Sequence, residues 1–395
     1  MKNDFPLLKN NPNIVYLDSA ATSQKPRSVL DAINEFYTTS NANAHRGIYS
    51  ISIKASLAMD EARKTIAQFF NTTDRHIVFT KNTTESLNLL SRSIPILKDQ
   101  NIIITEIEHH SNFVPWQELA KRSGAHLKIA SYDKETFSLE SISELVDQKT
   151  RIVSFTAMSN VSGQKFPVKN IIKAIRAKNK DAIIIVDACQ WAVHEPIDVN
   201  ELDADYLACS AHKLYGPLGV GILYARDLEE LPPFLYGGDM IESVSKESTT
   251  YAKGPTKFEA GTMDVAGIVG AAKAIEYLQD HRHDAMRIEK ELTDLALKEL
   301  KKIKGINIIG HQGEPAGSII SFFHESVPAL DIAQFCAADN VCVRVGQHCA
   351  EPFLKALGVH ATIRISIGLY NSEGDILQAI QSISSAIEKI MRKRT

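Results

Sequence analysis

Residues Tyr206 to Tyr224 read YLACSAHKLYGPLGVGILY, two apolar runs that suit strands with Ser210, His212 and Lys213 in the short polar break between them. A lysine so placed has little room to carry its stem out to water, and lysine is rarely buried without a task. Desolvation favours the neutral amine, which is the nucleophile needed to hold an aldehyde as a Schiff base. The break therefore reads as a site, and the flanking runs read as core strands.

Further runs of the same kind lie upstream, at Asn101 to Thr105 (NIIIT), Arg151 to Thr156 (RIVSFT) and Ala182 to Val186 (AIIIV). They alternate with helical patterns. In residues 25–40, Pro26 suits a first helical turn and Leu30, Ile33, Phe36 and Tyr37 recur at helical spacing. Strands apolar on both faces and alternating with helices imply an α/β fold with a mainly parallel sheet. After about residue 275 the mixture changes. A helix-rich connector leads to strands near Ser318 to Phe323, Val341 to Val345 and Thr362 to Ile367. The final helix carries Ile376, Ile380, Ile383, Ile387 and Ile390 on one stripe. We divide the chain into a large α/β domain of residues 17–275 and a smaller α+β domain of residues 1–16 and 276–395.

Three features join Lys213 as candidates. Asp187 ends the AIIIV strand, and ligands of open α/β sheets bind beyond the carboxyl ends of strands, where a carboxylate can pair with a ring nitrogen. In Lys81 to Asn88 (KNTTESLN) a polar turn opens a helix, so the amides and hydroxyls around Thr83 and Thr84 suit an anion, although a threonine N-cap explains the same pattern. Cys349 follows the alternating run Val341 to Val345 in a Gly/His loop before Glu351 and Pro352, an exposed setting for a thiol. His109 and His110, read as strand neighbours, face opposite sides and make a poor metal pair. Arg364 on TIRISI reads by itself as an edge-strand charge.

Composition narrows the function classes. With 44 basic and 47 acidic residues the formal charge is -3, so no global positive field points to nucleic acid or an anionic membrane surface. Asp4, Pro6 and Pro12 interrupt the apolar stretch a secretory signal needs, and apolar runs of about five residues are far below the roughly twenty that span a bilayer. Five cysteines in a chain of 395 residues with no CxxC argue against a disulfide framework and against a zinc site, so no metal is expected. The expectation is a cytoplasmic protein with reduced thiols.

Several segments in this order resemble the class V group of fold-type I pyridoxal-phosphate enzymes: Tyr16 to Ala21, Ala44 to Gly47, Asn82 to Glu85, Glu108 to His110, Ser159 to Val161, Val186 to Gln190, Ser210 to Gly216, Phe258 to Thr262 and Arg344 to Ala350. The carboxyl-terminal part narrows the likeness to the SufS-like (group II) cysteine desulfurases. The resemblance implies that Lys213 holds pyridoxal 5'-phosphate, Asp187 pairs with its ring nitrogen, Gln190 reaches its ring hydroxyl and His109 stacks on it. It implies that Thr83, Thr84, Ser210 and His212 surround the phosphate, joined by Thr262 from the second subunit of a homodimer. Asn160 and Arg364 would bind the carboxylate of L-cysteine. Cys349 would take the sulfur as a persulfide, with His348, Arg344 and Arg364 as positive surroundings and His45 nearby. The family usually has a histidine where Gln347 stands. The short connection from Cys349 to Arg364 implies a shielded persulfide delivered to a SufE- or SufU-like acceptor for iron–sulfur cluster assembly. Selenocysteine lyase activity, or a class V aminotransferase or kynureninase-like lyase that needs no thiol, stays open at this stage.

Overall fold

A computed structural model describes residues 1–44, 47–133, 139, 141–314 and 316–394; His45 lies outside the described residues. The apolar runs form a seven-stranded sheet. Its spatial order is Ile77–Thr80, Gly221–Ala225, Tyr206–Ser210, Ile183–Asp187, Thr150–Thr156, Asn101–Thr105 and His126–Ala130. Every strand is parallel except Gly221–Ala225, which runs against both of its neighbours. The runs are apolar on both faces because helices cover both, and buried clusters lie on either side of the sheet.

Helix Arg27–Thr39 turns Val29 and Phe36 inward. Leu30 and Tyr37, expected on the same stripe, are exposed at 38% and 55%. Ile33 does face helix Val265–Asp280, where a Cβ on Gly270 would stand 2.7 Å from its side chain, so the glycine sets how near the two helices come.

A second, antiparallel sheet has the order Ile306–Ile309, Ile319–His324, Thr362–Ser366 and Arg344–Gly346. Its core takes Ile376, Ile383 and Ile387 from helix Glu373–Arg394, and also Val15 and Leu17 from the amino terminus. The expected strand Val341 to Val345 is broken at Val343. Val341–Cys342 pairs in parallel with Val15–Tyr16, whereas Arg344–Gly346 joins the four-stranded sheet. The break lets one stretch of chain tie the amino terminus on one side and aim Arg344 toward the larger sheet on the other.

Candidate active site

At the carboxyl edge of the large sheet, the ends of five parallel strands and the loops that follow them surround a cavity of about 350 Å³. It brings together Thr83, Thr84, His109, Asn160, Asp187, Gln190, Ser210, His212, Lys213, Arg344, His348, Cys349 and Arg364. Thr262 is exposed and lines a different cavity, with Phe79, Phe234 and Leu235.

On one wall, helix Thr83–Ser93 begins at Asn82, whose Oδ1 accepts the Glu85 amide at 2.9 Å, while the Glu85 carboxylate turns back to the Lys81 amide. The cap is therefore asparagine and not threonine, which leaves the Thr84 hydroxyl at the helix mouth, 2.7 Å from Ser111 Oγ. Thr83 is buried instead. Its amide and hydroxyl meet Ser210 Oγ at 2.9 and 2.7 Å and lock the helix to the end of strand Tyr206–Ser210. Gly221 permits this approach, because a Cβ there would lie 2.6 Å from the Asn82 backbone.

On the floor, Asp187 is buried and accepts the Cys189 amide at 2.9 Å; burial raises its carboxyl above the ordinary range, against the pull of Lys213. Gln190 donates to the Ala20 carbonyl. Lys213 ends a 3₁₀ turn, Ala211–Lys213, and is half-buried, less enclosed than the apolar flanks led us to expect. The turn places Lys213 on the cavity wall beyond the end of strand Tyr206–Ser210.

His109 and His110 are not strand residues. Strand Asn101–Thr105 ends before them, and His109 caps the 3₁₀ turn His110–Asn112 with its Nδ1 accepting the Ser111 amide at 3.1 Å, which leaves the ring proton on Nε2. Burial and the charge of Lys213 pull His109 down to about 3, so it is neutral at physiological pH. Beneath it Glu108, fully buried, takes Asn112 Nδ2 at 2.6 Å and the Thr156 amide at 3.0 Å, and burial pushes it up to about 8.

On the opposite wall, strand Thr362–Ser366 is interior to its sheet, so Arg364 is not an edge charge; it is 3% exposed. Its Nη1 donates to Asn160 O at 2.9 Å, and its Nε has no hydrogen-bond partner among the described residues. Arg344 sits directly opposite across the ladder. Asp18 offsets the two like charges, taking Arg344 Nη2 at 2.7 Å and Arg364 Nη2 at 3.5 Å. Burial draws Arg364 down to about 10, which leaves it cationic.

His348 departs from expectation. Burial first, then Arg364 and Arg344, pull it down to about 3, so it is neutral and its Nε2 meets Thr362 Oγ1 at 2.7 Å. The positive charge that acts on Cys349 comes from the two arginines. Cys349 itself is exposed in the cavity. Cys342 is half-buried, away from that lining, because the break at Val343 places it beside Tyr16.

Two residues of this site escape sequence reasoning. Asp18 sits in the Tyr16 to Ala21 segment that carries the family likeness, yet its pairing with the two arginines is not read from it, although two unpaired arginines imply a carboxylate partner. Glu108 adjoins His109 after an apolar strand, and only the fold shows that it is enclosed.

These residues suit a phosphorylated pyridine aldehyde. Asp187 is a buried acceptor for a ring N–H, His212 Nδ1 is a buried atom without a partner among the described residues, and Lys213 is an amine at the cavity wall. The unpartnered Nε of buried Arg364 suits a carboxylate.

Residues 15–378 match the aminotransferase class-V family. A probable cysteine desulfurase of Streptomyces coelicolor is 43% identical over 95% of this chain and 94% of its own, and probable cysteine desulfurase 2 of Mycobacterium leprae is 41% identical over 98% and 95%. Among solved structures, the apo cysteine desulfurase of Thermococcus onnurineus superposes with a TM-score of 0.92 at 33% identity, covering 98% of this chain and 97% of that one. The cysteine desulfurase CsdA of Escherichia coli superposes with a TM-score of 0.90 at 34% identity over the same shares. With a fold shared from end to end and the strand-end cavity in place, the chain belongs to the aminotransferase class-V family.

Proposed function

We propose that this protein is a pyridoxal-phosphate-dependent cysteine desulfurase that converts L-cysteine to L-alanine and keeps the sulfur on Cys349 as a persulfide. The observation that carries this reading is that an exposed thiol, Cys349, lines the same cavity as Lys213 and Arg364. The relatives named cysteine desulfurase, similar over nearly the whole chain, support it. An aminotransferase or a kynureninase-like lyase has no use for that thiol.

Bound here, pyridoxal 5'-phosphate supplies an aldehyde for the substrate amine and a protonated ring that draws electrons from the substrate Cα. Asp187 would hold the ring nitrogen and Gln190 the ring hydroxyl. Neutral His109 would lie against the ring face. Thr83, Thr84, Ser210 and His212 would surround the phosphate. Arg364 and Asn160 would seat the substrate carboxylate, which fixes the Cα–H toward Lys213. The Lys213 amine, on the cavity wall, would take the Cα proton. Cys349 Sγ attacks the substrate sulfur, so an S–S bond forms as the Cβ–S bond breaks, and the carbon skeleton collects protons to become alanine. Arg344 and Arg364 line the cavity with Cys349 and would favour negative charge developing on sulfur, and Asp18 pairs with both.

We place the protein in the cytoplasm, where its five cysteines stay free. No helix among the described residues is long and apolar enough to cross a membrane. We also propose a homodimer in which Thr262 reaches the phosphate site of the second copy. Exposed Leu235 lines the same cavity as Thr262 and supports an apolar contact of that kind. A SufE- or SufU-like acceptor would then collect the persulfide sulfur for iron–sulfur cluster assembly.

The test is alanine and sulfide release from L-cysteine with a reductant, in wild type, Lys213→Ala and Cys349→Ala. Both variants are expected to lose activity, and Lys213→Ala also the visible absorbance of the bound cofactor. Unchanged turnover in either variant overturns the reading.

A further inference from the structure

Cys349 does not sit on relaxed backbone. His348 and Cys349 both have φ of +55°, the left-handed region, where residues with a Cβ are uncommon and two in succession more so. Such a turn lasts only while its surroundings hold it. The holds come largely from the edge of the large sheet. Asn160 Nδ2 donates to His348 O at 2.7 Å, and the His110 amide donates to Cys349 O at 2.6 Å. The His110 ring then reaches past the cysteine, and its Nε2 accepts the Glu351 amide at 3.1 Å. His110 thus brackets the thiol, gripping the chain at Cys349 by its backbone and two residues on by its side chain.

We infer that His110 is a positioning residue for sulfur transfer, its ring latching the Cys349 turn so that Sγ faces the substrate. The inference rests on the reading of Cys349 as the sulfur acceptor. His110 does not line the cavity; it acts through the turn. The ring contributes one acceptor, Nε2, so a side chain that offers an oxygen at similar reach, glutamine, replaces the latch, and alanine does not.

The experiment compares holoenzyme wild type, His110→Ala and His110→Gln, with Cys349→Ala as the control. For His110→Ala, kcat for alanine formation is expected to fall about tenfold, the scale of one lost hydrogen bond in a transition-state arrangement, with KM for L-cysteine within about twofold. His110→Gln is expected to recover most of the loss. Hydrogen exchange read by mass spectrometry, on holoenzyme and cofactor-free protein, is expected to quicken in peptides covering residues 347–353 of His110→Ala, and not in His110→Gln or in helix Glu373–Arg394. Wild-type kcat in His110→Ala, equal losses in both variants, or unchanged exchange at residues 347–353 overturns the inference. The two readings fail separately: turnover that survives Cys349→Ala removes the sulfur-acceptor reading, while exchange at residues 347–353 still decides whether His110 latches the turn.

Discussion

Replacing Arg364 with methionine separates what the fold spends on its site from what the site returns. The guanidinium is 3% exposed, and burial draws it down from its ordinary value to about 10, which corresponds to about 3 kcal/mol for keeping it charged in place. Methionine of similar length removes that cost and forfeits the 2.9 Å bond to Asn160 O, about 1.5 kcal/mol for a charged donor. Asp18 keeps Arg344 at 2.7 Å and is not left unpaired. The balance favours the variant by about 1.5 kcal/mol in the cofactor-free protein. Function moves the other way. Loss of a two-pronged cation from a carboxylate subsite costs about 3 to 4 kcal/mol, or a drop in kcat/KM of roughly 100- to 1000-fold. Arg364→Lys, which keeps charge but not the fork, falls between. Urea denaturation of the apoproteins and steady-state rates with L-cysteine measure both sides. A destabilisation beyond about 2 kcal/mol, or kcat/KM within tenfold of wild type, refutes the reasoning.

Two further outcomes are expected. His109 and His348, drawn down to about 3, and His212, drawn down to about 4, stay neutral in the native state while the unfolded chain takes protons below about 6.5. The unfolded state then binds more protons, so stability falls with acid between about 6.5 and 4 by about 1.4 kcal/mol per pH unit for each histidine. His348→Gln makes that slope shallower by about one histidine's share in denaturation midpoints from pH 7.5 to 5, and an unaltered slope counts against the buried neutral ring. Gly221→Ala sets a Cβ 2.3 Å from Thr80 Oγ1 and 2.6 Å from the Asn82 backbone. The strained turn shifts the mouth of helix Thr83–Ser93, so titration of the apoprotein with pyridoxal 5'-phosphate is expected to show at least tenfold weaker binding, and wild-type affinity would speak against a phosphate seat there.

Much of the larger sheet was legible because its strands are apolar on both faces and bounded by polar turns, as in NIIIT and AIIIV. Strand His126–Ala130 escaped notice because it lies at the sheet edge, where its pattern is mostly half-exposed. Ile77–Thr80 is too short to stand out. The break at Val343 arises from two partners competing for one run, a tertiary fact that alternation along the chain does not carry. The candidate site depended on residue types placed at strand ends, which motif reading handles well. Its electrostatics did not. His348 reads as a cation until burial and two neighbouring arginines are in view, and Asp18 reads as a turn residue until Arg344 and Arg364 converge on it.

The pairing of Val15–Tyr16 with Val341–Cys342 has a bearing on how the protein is made. The Ala20 amide reaches Ser366 Oγ across 346 residues of sequence, and Leu17 lies in the same core as Ile383 and Ile387. A ribosome releases Val15–Tyr16 long before Val341–Cys342, so the earlier segment waits for partners made far later in the chain. The small core, and with it the seating of Asp18 between two arginines, therefore cannot close until those later residues are made, and a nascent chain stalled before residue 341 lacks Arg344, Cys349 and Arg364 of the pocket.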